Sequence, residues 1–146
     1  MYQRILVPFD GSSHAENALK SAISLVNGRE SQSHLTVLHV QTELKYVMYD
    51  TTGIVINYDD LRRASEEEGK QVLHKATDIL RQTTVPFETK MVFGDPAQEI
   101  FKAAQGENYD LIVMGSRGLG MMTELAIGSV SHKVIHQTKL PVLIVK

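Results

Sequence analysis

A chain of 146 residues, 42% of them hydrophobic, is long enough to bury a core without staples. It contains no cysteine, which removes disulfides, thiolate zinc sites and cysteine nucleophiles together and fits a reducing compartment. Fifteen Lys and Arg against 17 Asp and Glu leave a net charge of -2, no electrostatic footprint for nucleic acid or anionic lipid, so any bound anion must be held locally. No stretch approaches the ~20 apolar residues of a spanning helix, and Met1-Tyr2-Gln3-Arg4-Ile5 enters an apolar run too short for a signal peptide; the expected location is cytoplasmic.

The first apolar run, Arg4 to Pro8, predicts a strand. A helical pattern follows from Ser13 to Val26, where Ala15, Ala18, Leu19, Ala22, Ile23 and Val26 repeat at 3, 4 and 7, and Ser13 with Glu16 has the spacing of a capping box. Leu35 to Val40 predicts a second strand. The segment from Tyr46 to Asn57 carries Tyr46, Tyr49 and Thr51-Thr52-Gly53, and a connection of that length is often functional. From Tyr58 to about Gln82 a second helix is marked by Leu61, Val72, Leu73, Ala76, Ile79 and Leu80. Its Glu66-Glu67-Glu68 run reads as a solvated face, with Glu66 and Lys70 at pairing distance. Phe87 to Phe93 is the third strand. Asp95-Pro96 then supplies an N-cap and a first-turn proline for a short helix carrying Ala97, Ile100, Phe101 and Ala104. Leu111 to Gly115, a helix from about Ser129 to Gln137, and a strand from Val142 to Val145 complete the chain. Several strands are continuously apolar, as strands buried on both faces are, and strand alternates with helix throughout. That alternation predicts an α/β fold, a parallel sheet covered on both sides, with no second domain.

In such folds ligands sit beyond the carboxyl ends of the strands, where strand order reverses. Two strand ends carry suitable chemistry. The first runs Pro8-Phe9-Asp10-Gly11; the fourth ends in Met114-Gly115 and opens the loop Gly115-Ser116-Arg117-Gly118, followed nine residues later by Gly128-Ser129. Glycine has no Cβ, so its backbone can approach a ligand closely with amides aimed inward. A helix beginning near Ser129 adds unpaired N–H groups and the positive end of its dipole. Together these make a phosphate cradle. Were the first and fourth strands neighbours, Asp10 would face it across one crevice, ready to accept from a hydroxyl. An anion site beside a hydroxyl acceptor suits a nucleotide better than a bare phosphate.

The pattern Gly-x2-Gly-x9-Gly-Ser, met by Gly115, Gly118, Gly128 and Ser129, resembles the ATP-binding branch of the universal stress protein family. Ile5-Leu6-Val7-Pro8-Phe9-Asp10 is similar to that family's opening strand, Leu38-His39-Val40 to the end of its second, and Leu140-Pro141-Val142-Leu143-Ile144-Val145 to its closing strand. The resemblance spans residues 1–146 as one three-layer α/β/α domain. It implies a Rossmann-like five-stranded parallel sheet of order 3-2-1-4-5, and a homodimer joined through Val142 to Val145. It also implies that Pro8 and Asp10 lie near the adenosine and that the Val40 main chain pairs with the adenine edge. Met114 and Gly115 would line the ribose side, with Gly118, Gly128, Ser129, Val130 and Ser131 holding phosphates through amides and the two hydroxyls. Arg117 sits in the loop where a guanidinium could meet a phosphate oxygen, with a solvated loop charge as the alternative. ATP is the implied ligand, with AMP, ADP and an accompanying magnesium ion left open.

No Gly-x4-Gly-Lys-Ser/Thr loop exists and no Gly-x-Gly-x-x-Gly follows the first strand. Phosphoryl transfer needs a positioned nucleophile, metal ligands and concentrated positive charge, for which Asp10, Arg117 and Glu124 are candidates without a motif to assign a role. The expectation is therefore a nucleotide-dependent regulatory or stress-response sensor with no catalytic residue. A slow magnesium-dependent ATPase and a ligand-free interaction module are the alternatives. His132 and His136 stand four apart without an evident third metal ligand. Leu119, Met121, Met122, Leu125 and Ile127 make the glycine loop apolar enough to pack at a lid or a dimer contact.

Overall fold

The computed structural model describes residues 2–26, 33–42, 57–117 and 127–146. Nine elements follow in strict alternation: β1 (Arg4–Pro8), α1 (Ser13–Val26), β2 (His34–Gln41), α2 (Tyr58–Leu80), β3 (Phe87–Phe93), α3 (Pro96–Gly106), β4 (Leu111–Gly115), α4 (Ser129–Gln137) and β5 (Val142–Val145). The strands form one parallel sheet of order β3-β2-β1-β4-β5, the expected arrangement. Right-handed crossovers explain the layering. Going from β1 through β2 to β3 the chain moves one way across the sheet, which puts α1 and α2 on one face. It then returns past β1 to β4 and β5, which puts α3 and α4 on the other.

Alternation along β1 and β4 feeds both faces. Ile5, Val7, Leu111 and Val113 pack with Ala18, Leu19, Ala22 and Leu80 under α1 and α2. Leu6, Ile112 and Met114 pack with Ala97, Ile100 and Val134 under α3 and α4. Each fully buried aliphatic side chain stabilises the fold by about 1.5–3 kcal/mol, and these central strands read as continuous apolar runs because neither face meets water.

The ends of the helices are set by side chains. At α1 the cap is Ser12, whose Oγ accepts from Ala15 N at 3.1 Å, and Asp10 Oδ1 accepts from Ser12 N at 2.9 Å. The N-cap thus falls one residue before the expected Ser13, and the expected box with Glu16 is not formed: Ala15 stands at its third position, and Asp10 takes the Ser12 N–H instead. At α3 the expected Asp95 cap is present, accepting from Gln98 N at 3.0 Å, with Pro96 in the first turn. Helix α2 stops at Leu80, short of Gln82, where the Thr83 hydroxyl takes the Leu80 carbonyl at 2.8 Å. On its exposed face Glu66 pairs with Arg62 at 3.6 Å, one turn before the expected Lys70. The buried positions of α2 include Ser65 and Gly69, which an apolar periodicity cannot flag. At Gly69 an added Cβ would collide with the Met91 sulfur and stand 3.3 Å from His39 and Gln41, so the missing side chain is what lets α2 lie close on the sheet.

The two sheet edges differ. On β3, Glu88 and Lys90 stand out from the edge, and Lys90 Nζ is 3.4 Å from Glu88 and also pairs with Glu107. Such charges discourage pairing with another chain. On β5 the edge is Val142-Leu143-Ile144-Val145, with Leu143 38% exposed.

Candidate functional site

Where β1 and β4 diverge, a crevice opens. Phe9 N donates to Leu38 O at 2.9 Å, so Phe9 turns its main-chain groups toward β2. Successive strand residues alternate sides, so Pro8 faces β4, and without an N–H it cannot extend that ladder. Pairing between β1 and β4 accordingly stops at Leu6 and Ile112. Beyond Phe9 the chain leaves the sheet through Asp10 and Gly11, whose φ of 81° suits glycine alone. Strand β4 ends differently, held to β5 by Ser116 N donating to Val145 O at 2.8 Å.

The end of β1 exposes an edge on its neighbour. Leu38 is bonded toward β1, so Val40, two residues on, points its N–H and C=O the same way, past the point where β1 has gone. Its flanking residue Gln41 faces β3, where its carbonyl accepts from Gly94 N at 3.1 Å. A donor and an acceptor therefore stand side by side on the wall of the crevice.

Opposite them lies the start of α4. Gly128 is its N-cap and supplies no side-chain hydrogen bond. Gly128 N donates to Ser116 O at 2.6 Å, and the first helical bond runs from His132 N to Gly128 O at 2.9 Å. The amides of Ser129, Val130 and Ser131, in the first turn, have no intrahelical acceptor. Partial positive charge from the helix dipole gathers at the same place. The Ser131 hydroxyl, by contrast, is already engaged, donating to Gly115 O at 2.8 Å, which ties α4 to the end of β4.

Glycine serves close approach here rather than unusual torsion. Neither Gly115 nor Gly128 has positive φ. An added Cβ at Gly115 would stand 2.8 Å from the main-chain carbon of His14, and at Gly128 it would stand 3.2 Å from Ser116 O and Arg117 Cα.

The cleft formed in this way has a volume of about 390 Å³. Every expected site residue that the structure describes lines it: Pro8 from β1 and Asp10 from its exit, Val40 from β2, Met114, Gly115 and Arg117 from β4 and its exit, and Gly128 to Ser131 from the cap and first turn of α4. Gly118 lies outside the described residues, as do Leu119 to Leu125, Glu124 among them, and residues 46–56 of the connection after β2. Ile127 is described and exposed. Sequence reading missed Pro96 and Ile100, which form the α3 wall, and Phe9, Ala15, Leu38 and His39 on the floor. The Asp95-Pro96 helix start, following a strand end directly, was a usable signal for the wall; Phe9, Leu38 and His39 of the floor lie within the two strand-end segments quoted above, beside the residues given a role there. The His132 and His136 rings lie 4.4 Å apart between centroids, tilted by 53°, and among the described residues no third metal-binding side chain joins them.

A parallel sheet of order 3-2-1-4-5, with an uncapped helix end and an open strand edge on one crevice, defines a protein class built to hold a small ligand with an anionic end beyond its strands. The chain belongs to the universal stress protein family, whose family model matches residues 1–146. It is 37% identical over 150 residues to Universal stress protein YxiE of Bacillus subtilis, with all of both chains covered. The solved structure of protein MJ0577 of Methanocaldococcus jannaschii aligns with a TM-score of 0.83 at 32% identity, over 100% of this chain and 96% of that one. A universal stress protein family member from Arabidopsis thaliana, solved with AMP bound, aligns with a TM-score of 0.71 over 99% and 91% of the two chains. At 21% identity that last likeness is one of fold.

Proposed function

We propose that the cleft binds an adenine nucleotide, ATP foremost, and that the bound nucleotide biases a homodimer in a regulatory, stress-response role. The observation that carries this reading is the pairing, across one cleft, of three unengaged amides at the start of α4 with the open N–H and C=O of Val40. Phosphates suit the first, since amides and helix dipole act together on an anion. The second suits a base that presents an acceptor next to a donor, as adenine does. Asp10 keeps one oxygen on Ser12 N and offers the other to a ribose hydroxyl, while Arg117 lines the phosphate side. Ser131 contributes its amide, its hydroxyl hydrogen being held by Gly115. Gly118 completes the cradle in this reading. Magnesium accompanying ATP is carried largely by phosphate oxygens and water. The AMP complex of the Arabidopsis protein is consonant with the reading without carrying it.

The test is direct. Protein purified without added ligand is denatured and any released nucleotide identified by chromatography; the stripped protein is then titrated with ATP and magnesium by calorimetry. Copurified adenine nucleotide or saturable binding at micromolar levels is expected, and phosphate release in the same samples would add slow hydrolysis. No nucleotide and no heat up to millimolar ATP would leave a ligand-free interaction module.

A further inference from the structure

His39 stands beside Val40 on the floor of the cleft and is 5% exposed. A buried imidazole needs partners for both nitrogens. Nδ1 is 2.8 Å from the Phe9 main-chain oxygen, and Nε2 is 2.8 Å from Gln41 Oε1. Gln41 Nε2 donates in turn to Ser65 Oγ at 3.0 Å and to Glu68 Oε2 at 3.4 Å. The ring is therefore braced between the end of β1 and helix α2. Because a carbonyl oxygen only accepts, Nδ1 carries a proton and donates it to Phe9; Gln41 Oε1 also only accepts, so either Nε2 carries a proton as well or the Gln41 amide is turned end for end to donate to Nε2, and Nδ1 is the donor to Phe9 in both arrangements.

That oxygen has another natural partner. With Pro8 opposite Leu38 and Phe9 N bonded to Leu38 O, the next rung of the parallel ladder would run from Val40 N to Phe9 O. The rung is not made, and the His39 side chain holds the acceptor instead. We propose that His39 is a positioning residue for base recognition: by capping the Phe9 carbonyl it keeps the Val40 N–H and C=O open and fixed for a purine edge with an acceptor beside an amino donor. Hypoxanthine, which presents a ring N–H and an oxo group in the corresponding places, is mismatched. The inference rests on the nucleotide-binding reading above and adds to it the source of base discrimination.

Calorimetric titration with ATP and with inosine triphosphate, on wild type and on His39→Ala, His39→Gln and His39→Asn, tests it. Asparagine can place an amide N–H close to the position of Nδ1, whereas glutamine places its amide near Nε2. Wild type is expected to favour ATP by roughly tenfold or more, the effect of one or two mismatched hydrogen bonds. His39→Asn should keep most of that preference, and His39→Ala and His39→Gln should lose it. A purely structural role would weaken both nucleotides alike and leave the ratio unchanged, which overturns the proposal. So does wild-type binding without preference. If His39→Ala does not fold, the Gln and Asn pair carries the comparison. A readout free of nucleotide separates this inference from the reading beneath it: imidazole nitrogen NMR of the unliganded protein should show the His39 proton on Nδ1, and an unprotonated Nδ1 refutes the capping role whatever binds. Wild type that binds neither nucleotide refutes the nucleotide reading and takes the discrimination role with it.

Discussion

At Gly115 a methyl group has nowhere to go, since its carbon would meet the main chain of His14 and Ala15 N at 3.0 Å. At Gly128 the surroundings are tight but not closed, and its backbone, at φ -60° and ψ 158°, suits any residue. The two positions should separate on substitution. Gly115→Ala is expected to lower stability by about 1–3 kcal/mol, as overpacking against an immobile main chain does, read as a lower denaturation midpoint. Gly128→Val should keep the circular dichroism spectrum of wild type while ATP binding falls below detection, because its side chain would press on Ser116 O and Arg117 and displace the turn that presents the amides. Wild-type affinity in Gly128→Val would mean that the phosphates lie elsewhere. Both glycines were legible in the sequence as a pattern, but which of them serves packing and which serves the ligand depends on the neighbours that α1 and α4 bring.

Glu107, just past the end of α3, shows how an element boundary is tied to a neighbouring strand. It accepts from Lys90 of β3 and from the Tyr109 hydroxyl at 2.9 Å, and Arg4 is 3.7 Å away. The hydrogen bond from Lys90, then that from Tyr109, hold the Glu107 carboxyl below the usual range, and the same bond to Glu107 raises Lys90. A carboxylate with a depressed folded value adds stability above its ordinary range and loses it as pH falls through the folded value. A raised lysine adds stability below its ordinary range and loses it as pH rises through the folded one. Glu107→Gln should therefore melt earlier than wild type across neutral pH. The difference should close in acid below the ordinary carboxylate range, about pH 4. Both side chains are more than one third exposed, so screening keeps the effect at or under about 1 kcal/mol, and high salt should shrink it further. A gap in melting temperature that persists unchanged in acid would sink this account. This network also explains buried Thr36, whose hydroxyl donates to Glu88 at 2.9 Å within an otherwise apolar strand. Element positions were readable from periodicity because burial repeats every second or every three to four residues. Ser65 and Gly69 as buried positions on α2 were not, since polar and small residues carry no apolar signal.

Over the whole molecule the two edges of the sheet set up opposite expectations for assembly. Charges on β3 resist a second chain, whereas β5 presents an unguarded apolar edge. If the homodimer forms through β5, Leu143→Glu should shift the sedimentation coefficient from dimer to monomer while the sheet survives, because the substitution places a charge at the edge and leaves Ile112 and Val113 covered. A variant that stays dimeric would place the interface on another surface. The sequence by itself determined the alternation of elements, the parallel sheet and the two strand ends that carry the site's chemistry, because apolar spacing, Asp95-Pro96 and the glycine loop are local signals that survive without context. Only the tertiary structure decided that Val40 is open, that Pro8 ends the β1–β4 ladder and that His39 takes the Phe9 carbonyl. A main-chain group is free or bonded according to where the neighbouring strand stops, and that is a property of two distant segments at once.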